Sequence, residues 1–313
     1  MLNPSDSKGF SFPLFKTKID GEARSFALDD PLERRKYFDY KAGPEIEKLR
    51  AYLQKNTFVA FLLGKKNSGK GTYSKLFMEA VGHDRVAHIS VGDIVRRVHE
   101  DLSDERRKKE LMEFLNQRYR GFISAEEALQ ALLGRDTKNL LPAEIILALV
   151  EREIDTSSRK AIFIDGFPRS LDQVAYSLYF RALIGYRDDP DFFVFIDVPE
   201  PVINERIKYR VVCPTCHTPR NMRVLRTKEI EYDAATKQFY LICDNPKCGG
   251  LRMVSKEGDE LGIEVIRDRI EVDEAVMKMI LKLQGVPKIY LRNAIPTSWQ
   301  MSATATKTCG TRL

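Results

Sequence analysis

The chain has 313 residues, of which 43% are hydrophobic and 31% charged, as is typical of a soluble globular protein. No apolar run approaches the roughly 18 residues of a membrane span, and the first residues lack the charged-then-apolar order of a secretory signal, so a cytoplasmic protein is expected. The net charge of +6 indicates an anionic partner, either a small phosphorylated molecule or a nucleic acid.

Five short apolar runs are predicted to be buried strands of one sheet. They are continuous rather than alternating, as strands covered on both faces should be, and helical patterns separate them. An N-terminal extension, residues 1–56, ends in a helix with Ile46, Leu49 and Leu53 on one face. The predicted fold class is therefore α/β, with a five-stranded parallel sheet between two helical layers. The predicted strands are 57–64, 86–92, 160–167, 191–198 and 287–293.

Two long segments interrupt this alternation. Residues 98–158 are predicted to be entirely helical, with Ser124 and Glu127 spaced as a capping box. Residues 211–262 contain two cysteine pairs and strand-like sequences. The tail, residues 298–313, shows no helical periodicity and is expected to be disordered.

A glycine loop, GKKNSGKGT at residues 64–72, lies between the first predicted strand and a helix. Gly64, Gly69 and Lys70 have the spacing of a loop whose backbone N–H groups converge on phosphate oxygens. Gly71 stands where a hydroxyl residue usually follows the lysine, so Thr72 comes one place late. Asn67 stands where glycine is common, and we predict a positive φ for it. A plain glycine turn is the alternative, which the strand–loop–helix context disfavours.

A second stretch, FIDGFPRS at residues 163–170, ends the third predicted strand. Asp165 is well placed there to hold Mg²⁺ through water. Gly166 permits close approach of a ligand, and Pro168 fixes the turn that presents Arg169. Together with the glycine loop, this stretch predicts a phosphate site rather than a turn alone.

Arg206 and Arg210 follow the fourth predicted strand, at the end of the sheet where ligands bind in such folds. Because they are four residues apart, both would point to one side of a helix and could neutralise phosphate charge. An exposed basic helix face is the alternative.

Four of the five cysteines form two close pairs, Cys213 with Cys216 and Cys243 with Cys248. Two such knuckles around a strand-rich segment suit a tetrahedral structural Zn²⁺ site. His217 is an alternative ligand, although four thiolates already complete the shell, and free buried cysteines are the other alternative. The remaining histidines have no ligand-like spacing and are predicted to be surface or satisfied polar residues: His83, His88 and His99.

Five motifs, in this order, resemble the adenylate kinase family: GKKNSGKGT, HISVGDIVRR, NLLPAEIILALVE, DGFPRSLDQ and FIDVPEPVINERIKYR. The late threonine is that family's form of the glycine loop. The resemblance implies a P-loop core at 57–297, with a helical monophosphate-binding insert at 90–158 and a zinc lid at 211–262. It further implies transfer of the γ-phosphoryl group of MgATP to AMP, giving two ADP, by a monomer that does not bind nucleic acid.

The resemblance also implies roles for single residues. Lys70, Arg169, Arg206, Arg210 and Arg269 would be catalytic, with Lys70 on the transferred phosphoryl group. Thr72 and Asp165 would be associated with Mg²⁺. The implied ATP-binding residues are Gly64, Asn67, Ser68, Gly69, Lys70, Gly71, Thr72, Arg206 and Ile295. The implied AMP-binding residues are Val91, Arg96, Leu141, Gly166, Arg169 and Gln173.

Several features depart from the family pattern. Val91 replaces a threonine that touches the base, whereas Gln173 is typical of AMP kinases and asparagine of pyrimidine monophosphate kinases. The arginine usual after the last cysteine has no counterpart, and only Lys256 lies nearby. The helical insert is larger than usual, and the usual closing helix is missing. The alternatives are therefore a kinase for CMP, UMP or dAMP, and a catalytically weak nucleotide-binding regulator or nucleic-acid-binding ribbon.

Overall fold

The computed structural model describes residues 26–133, 143–156, 158–223, 225–256 and 259–292. In these ranges no helix is long and apolar enough to cross a membrane. The helices are α1 (Pro31–Tyr52), α2 (Lys70–Val81), α3 (Val91–Leu102), α4 (Glu105–Arg118), α5 (Ala125–Leu133), α6 (Ala143–Asp155), α7 (Leu171–Leu183), α8 (Glu200–Lys208) and α9 (Arg267–Lys282). The strands are β1 (Val59–Leu63), β2 (Val86–Ser90), β3 (Ala161–Asp165), β4 (Asp191–Asp197), β5 (Arg210–Val212), β6 (Pro219–Asn221), β7 (Ile230–Asp233), β8 (Gln238–Leu241), β9 (Val254–Ser255) and β10 (Lys288–Arg292).

Five of the strands form the central sheet, in the order β10-β4-β1-β3-β2. Every neighbouring pair in this sheet is parallel. Each of the five predicted runs contains one of these strands, so the predicted parallel sheet is confirmed. Because the strands run in the same direction, the loops that follow them meet at one edge, where ligands bind in open α/β sheets.

The side chains of the central strand β1 alternate between two separate apolar layers. Val59, Phe61 and Leu63 pack into a core with α3 to α7 and α9. Ala60 and Leu62 face the opposite side and pack with residues of α2 and α8. Both faces of the sheet are therefore covered, which confirms the three-layer architecture and explains why the strand is continuously apolar.

The N-terminal helix α1 packs against α2 beside the sheet. Ile46 and Leu53 are buried, as the predicted apolar face requires. The contact is also polar, since the buried Arg34 forms a 3.0 Å ion pair with Glu79. Arg50 donates hydrogen bonds to two carbonyl oxygens at the end of α2. The extension thus supports the helix that begins at the glycine loop.

The two interrupting segments form their own structures. The helical one contains the end of α3 together with α4, α5 and α6. The predicted capping box is confirmed, because Ser124 and Glu127 exchange hydrogen bonds between side chain and backbone. In the second, β5, β6 and β9 form a small antiparallel sheet, and β7 and β8 form a hairpin. Its small apolar core consists of Cys213, Leu241, Cys243, Cys248 and Met253.

Candidate functional site

The glycine loop joins the end of β1 to the start of α2, and its backbone is shaped for close contacts. Asn67 has φ 67°, which confirms the predicted positive φ. Gly64 has φ 154°, and a Cβ there would lie 2.6 Å from Ser68 Oγ and 2.7 Å from the backbone oxygen of Ile196. The loop therefore folds tightly against the end of β4, with its N–H groups at the amino end of α2, where an anion is favoured.

Replacing Gly64 with alanine is expected to lower the free energy of unfolding by about 3 kcal/mol, because the new methyl group meets a backbone oxygen that cannot rotate away. The matched control is Gly43→Ala in α1, where an added Cβ has no atom within 4 Å. Denaturant melts of both variants measure the difference. Equal stability of the two would contradict the tight packing of the loop.

Lys70 begins α2 and folds back over the loop. Its Nζ donates hydrogen bonds to the backbone oxygens of Gly64, at 2.7 Å, and Lys65, at 3.1 Å. The ammonium group is thus held by neutral carbonyls, without a carboxylate hydrogen-bond partner among the described residues. A bound phosphate, with its greater negative charge, can replace these partners.

A cavity of about 220 Å³ lies at the carboxyl ends of β1, β2 and β3, beside this loop. Its lining is strongly basic, with seven cationic side chains and two carboxylates, Asp165 and Asp273. This excess of positive charge is the electrostatic signature of a site for a polyanion. Nine of the residues expected at the site line the cavity: Gly64, Asn67, Lys70, Arg96, Asp165, Gly166, Arg169, Arg210 and Arg269.

The other expected residues lie around this cavity or outside the described ranges. Ser68, Gly69, Gly71 and Thr72 belong to the loop and the first turn of α2. Val91 begins α3, and a Cβ on Gly166 would contact it at 3.4 Å. The positions that the structure does not describe are Leu141 and Ile295.

Asp165 lies at the end of β3, close to the first turn of α2. Burial by itself would raise the pKa of its carboxyl, but the charge of Lys70 and the contact with His88 hold the pKa below its usual value. The carboxyl is therefore ionised at neutral pH, as a ligand that holds Mg²⁺ through water must be. The Asp165 carboxylate therefore has the charge and the position to hold the Mg²⁺ ion that would accompany a bound nucleotide.

His88 was predicted to be a surface or satisfied polar residue, and the structure places it beside Asp165. It lies on β2 with an 8% exposed side chain, and its Nε2 is 3.9 Å from Asp165 Oδ2. An added Cβ on Gly71 would contact its ring at 3.7 Å. Sequence spacing could not reveal this neighbour, because β2 and β3 are adjacent only through the parallel register that pairs Ser90 with Asp165.

The two arginines after β4 reach the glycine loop by different routes. Arg206 lies in α8 and donates to the backbone oxygen of Ser68 at 2.8 Å. Arg210 is not on that helix, contrary to the prediction, because α8 ends at Lys208 and Arg210 begins β5. Its guanidinium still hydrogen-bonds the Asn67 side chain. The expected convergence therefore occurs, although helical spacing is not its cause.

The lining of the cavity also contains Arg96 and Arg169. Arg96 lies in α3 and is paired with Asp93. The backbone N–H of Arg169 donates to Gln173 Oε1 at 2.8 Å, which fixes the orientation of this buried amide. The glycine loop and these arginines therefore face one shared space.

The four paired cysteines come together in the small antiparallel unit. Their sulfur atoms all lie within 4.8 Å of one another, and the sulfurs of Cys216 and Cys243 are 3.7 Å apart. A tetrahedral ion with bonds of about 2.3 Å to sulfur separates its ligands by roughly 3.8 Å. The cluster therefore has the donor set and the size for Zn²⁺, and four sulfurs suffice without His217.

Sequence comparison finds kinases that are similar to this chain. The chain is 30% identical to an adenylate kinase of Thermotoga neapolitana over 213 residues, which are 67% of this chain and 77% of that protein. It is 27% identical to an adenylate kinase of Clostridium acetobutylicum over 250 residues, which are 75% of this chain and 97% of that protein. It is also 30% identical to a probable UMP-CMP kinase of Arabidopsis thaliana over 202 residues, which are 63% of this chain and 66% of that protein. No family model matches the chain.

Proposed function

The chain belongs to the adenylate kinase family of nucleoside monophosphate kinases, and we propose that it transfers the γ-phosphoryl group of MgATP to AMP to give two ADP. The observation that carries this proposal is the single cavity that Lys70 of the glycine loop shares with Arg96 and Arg169. Phosphoryl transfer requires donor and acceptor phosphates in line and close together, with their charge neutralised. A cavity lined by cations from the glycine loop, from α3 and from the segment after β3 meets both needs.

The proposed roles follow from these positions. Lys70 exchanges its two carbonyl partners for the transferred phosphoryl group, and Arg206 and Arg210 hold the donor phosphates from the other side of the loop. When bound, Mg²⁺ would be held by Asp165 through water, together with the hydroxyl of Thr72, and would neutralise phosphate charge. No general base is needed, because positioning and charge neutralisation account for most of this catalysis.

AMP is the proposed acceptor because of Gln173. Its side chain is 3% exposed, and the hydrogen bond to Arg169 fixes its oxygen. Its amide group is thereby held rigidly for recognition of a base edge, in keeping with the role implied for it. Val91 offers an apolar surface beside Gly166 where the family has a hydroxyl, and this change favours testing pyrimidine acceptors as well.

An acceptor panel tests the proposal. We expect AMP to give the highest kcat/KM with MgATP, at least about tenfold above CMP and UMP, because a fixed amide rejects a base that leaves it unpaired. The acceptor dAMP carries the same base as AMP, so it tests contacts to the sugar instead. Formation of ADP is followed directly by chromatography. Higher kcat/KM with CMP or UMP would overturn AMP as the acceptor, and tight MgATP binding without any turnover would indicate a regulator.

A monomeric cytoplasmic enzyme is also part of this proposal. The four cysteines must remain reduced to hold a metal, as they would in a reducing compartment. Light scattering with nucleotide present would measure the oligomeric state.

A further inference from the structure

The position of Lys256 follows from the pairing of β5 with β9. These antiparallel strands place Val211 opposite Ser255 and Val212 opposite Val254. One more step along the same register brings Lys256 opposite Arg210, and both residues line the cavity. Lys256 is the lysine nearest in sequence to the place where the family has an arginine after the last cysteine, here called the lid arginine. Strand register thus directs Lys256 to the phosphate site.

Lys66 reaches the same cavity from the glycine loop. Its backbone N–H donates to Asp273 Oδ2 of α9 at 2.9 Å, which fixes this residue within the loop. Its side chain is exposed at the edge of the cavity and belongs to the lining. Lys66 and Lys256 therefore approach one space from the loop and from the small antiparallel unit.

These two ammonium groups differ from other cations of the cavity. Neither has a hydrogen bond or salt bridge to an acid among the residues that the structure describes. Four other cationic side chains of the cavity have partners: Arg210 pairs with Asp259, Arg269 with Asp273 and Arg96 with Asp93, and Lys70 donates to two backbone oxygens. The unpaired charges are consequently available to an anionic ligand.

The surroundings destabilise the charged forms of Lys66 and Lys256 in the protein without nucleotide. Partial desolvation, followed by the charges of Lys256, Arg210 and Arg169, lowers the pKa of Lys66. Partial desolvation, followed by the charges of Arg210 and Arg96, lowers the pKa of Lys256. Both side chains are still substantially exposed, so solvent screens part of this repulsion. A bound polyanion would relieve it.

We propose that Lys66 and Lys256 together bind the phosphates of the donor nucleotide in place of the missing lid arginine. This inference rests on the proposed kinase function. An arginine grips two phosphate oxygens with one planar group, whereas an ammonium group is a compact point charge without this fixed geometry. Two lysines on different elements can approach the phosphates from two sides and together supply the positive charge. Since one lysine lies in the glycine loop and the other follows β9, a phosphate between them joins the small unit to the core.

The test uses Lys66→Met, Lys256→Met and the double variant, with Lys55→Met as the matched control. Lys55 lies after α1 and is exposed away from the cavity. Calorimetric titration with MgATP measures binding, and steady-state assays measure KM and kcat. We expect each single variant to weaken MgATP binding about fivefold to tenfold and the double variant about fiftyfold. Lys256→Arg is expected to retain the affinity of the unaltered protein.

A pH series separates a phosphate contact from a structural role. Raising the pH neutralises a lysine as it passes its pKa, so affinity for MgATP should fall at a pH below the ordinary lysine range of about 10.4. The charged groups nearest the pair are Arg96, Arg169, Arg210 and Asp259, and the same cavity lining also contains Lys70, Asp165, Arg269 and Asp273. The alkaline fall should therefore be reduced in the double methionine variant.

The outcomes distinguish this inference from the proposed function. If the double variant binds MgATP as tightly as the Lys55→Met control, the inference is overturned while the kinase activity stands. If the unaltered protein binds MgATP but transfers no phosphoryl group to any acceptor, the function fails, and the affinity ratios still decide the role of the lysines. If the unaltered protein binds no MgATP, both are overturned.

Discussion

Replacing Lys70 with alanine is expected to lower kcat about a thousandfold while the chain stays folded. Lys70 lies at the start of α2 and lines the cavity, where its charge can follow the phosphoryl group through transfer. Loss of one preorganised donor in such a site typically lowers kcat by about 10² to 10³. The two hydrogen bonds to loop carbonyls contribute only about 1 kcal/mol each to stability, so the fold should survive.

Steady-state kinetics with MgATP and AMP, alongside thermal melting, measure this effect. Lys55→Ala is the matched control and should keep both kcat and the melting temperature. A Lys70→Ala protein with unchanged kcat would contradict the role of Lys70, whatever the acceptor is. A large fall in melting temperature would instead show that Lys70 mainly holds the loop closed.

The glycine loop and the sheet could be predicted because both depend on local chemistry. Continuous apolar runs are explained by strands with two covered faces, as the alternation of Phe61 and Leu62 between two cores shows. The positive φ of Asn67 follows from its place in a loop motif of known backbone shape. Strand burial and loop conformation of this kind can be predicted from sequence spacing, because they depend mainly on residues that are close together in the chain.

Contacts that depend on tertiary register could not be predicted in this way. Arg210 was assigned to a helix by its spacing from Arg206, yet the chain leaves the helix after Lys208 and enters β5. His88 reaches Asp165, and Lys256 reaches Arg210, only through strand pairing. Each of these contacts joins residues that are distant in sequence, so no local pattern indicates them.

Removal of a bound metal from the four-cysteine cluster is expected to unfold the small antiparallel unit, here called the lid, while the sheet remains folded. We propose Zn²⁺ as this metal. Three of the five buried residues in the apolar core of the lid are metal-ligand candidates, Cys213, Cys243 and Cys248. The other two are Leu241 and Met253, with Val211 and Met222 partly buried against them. So few apolar side chains bury too little area to offset the backbone entropy of ordering the lid. Structural Zn²⁺ contributes on the order of 10 kcal/mol to small folds of this kind.

Chelation should therefore lower the melting temperature clearly, or produce a separate early transition in which the lid unfolds. The initial rate at low temperature should change much less. Hydrogen exchange is the sharpest measurement, because the amide of Met253, which donates to Leu241, should lose protection while amides of β1 keep theirs. Cys243→Ser should reproduce the effect, and Cys309→Ser, at the cysteine outside the pairs, should not. Elemental analysis gives the metal content. A zinc-free protein with an unchanged melting curve and full protection at Met253 would show that the lid holds itself together without the ion.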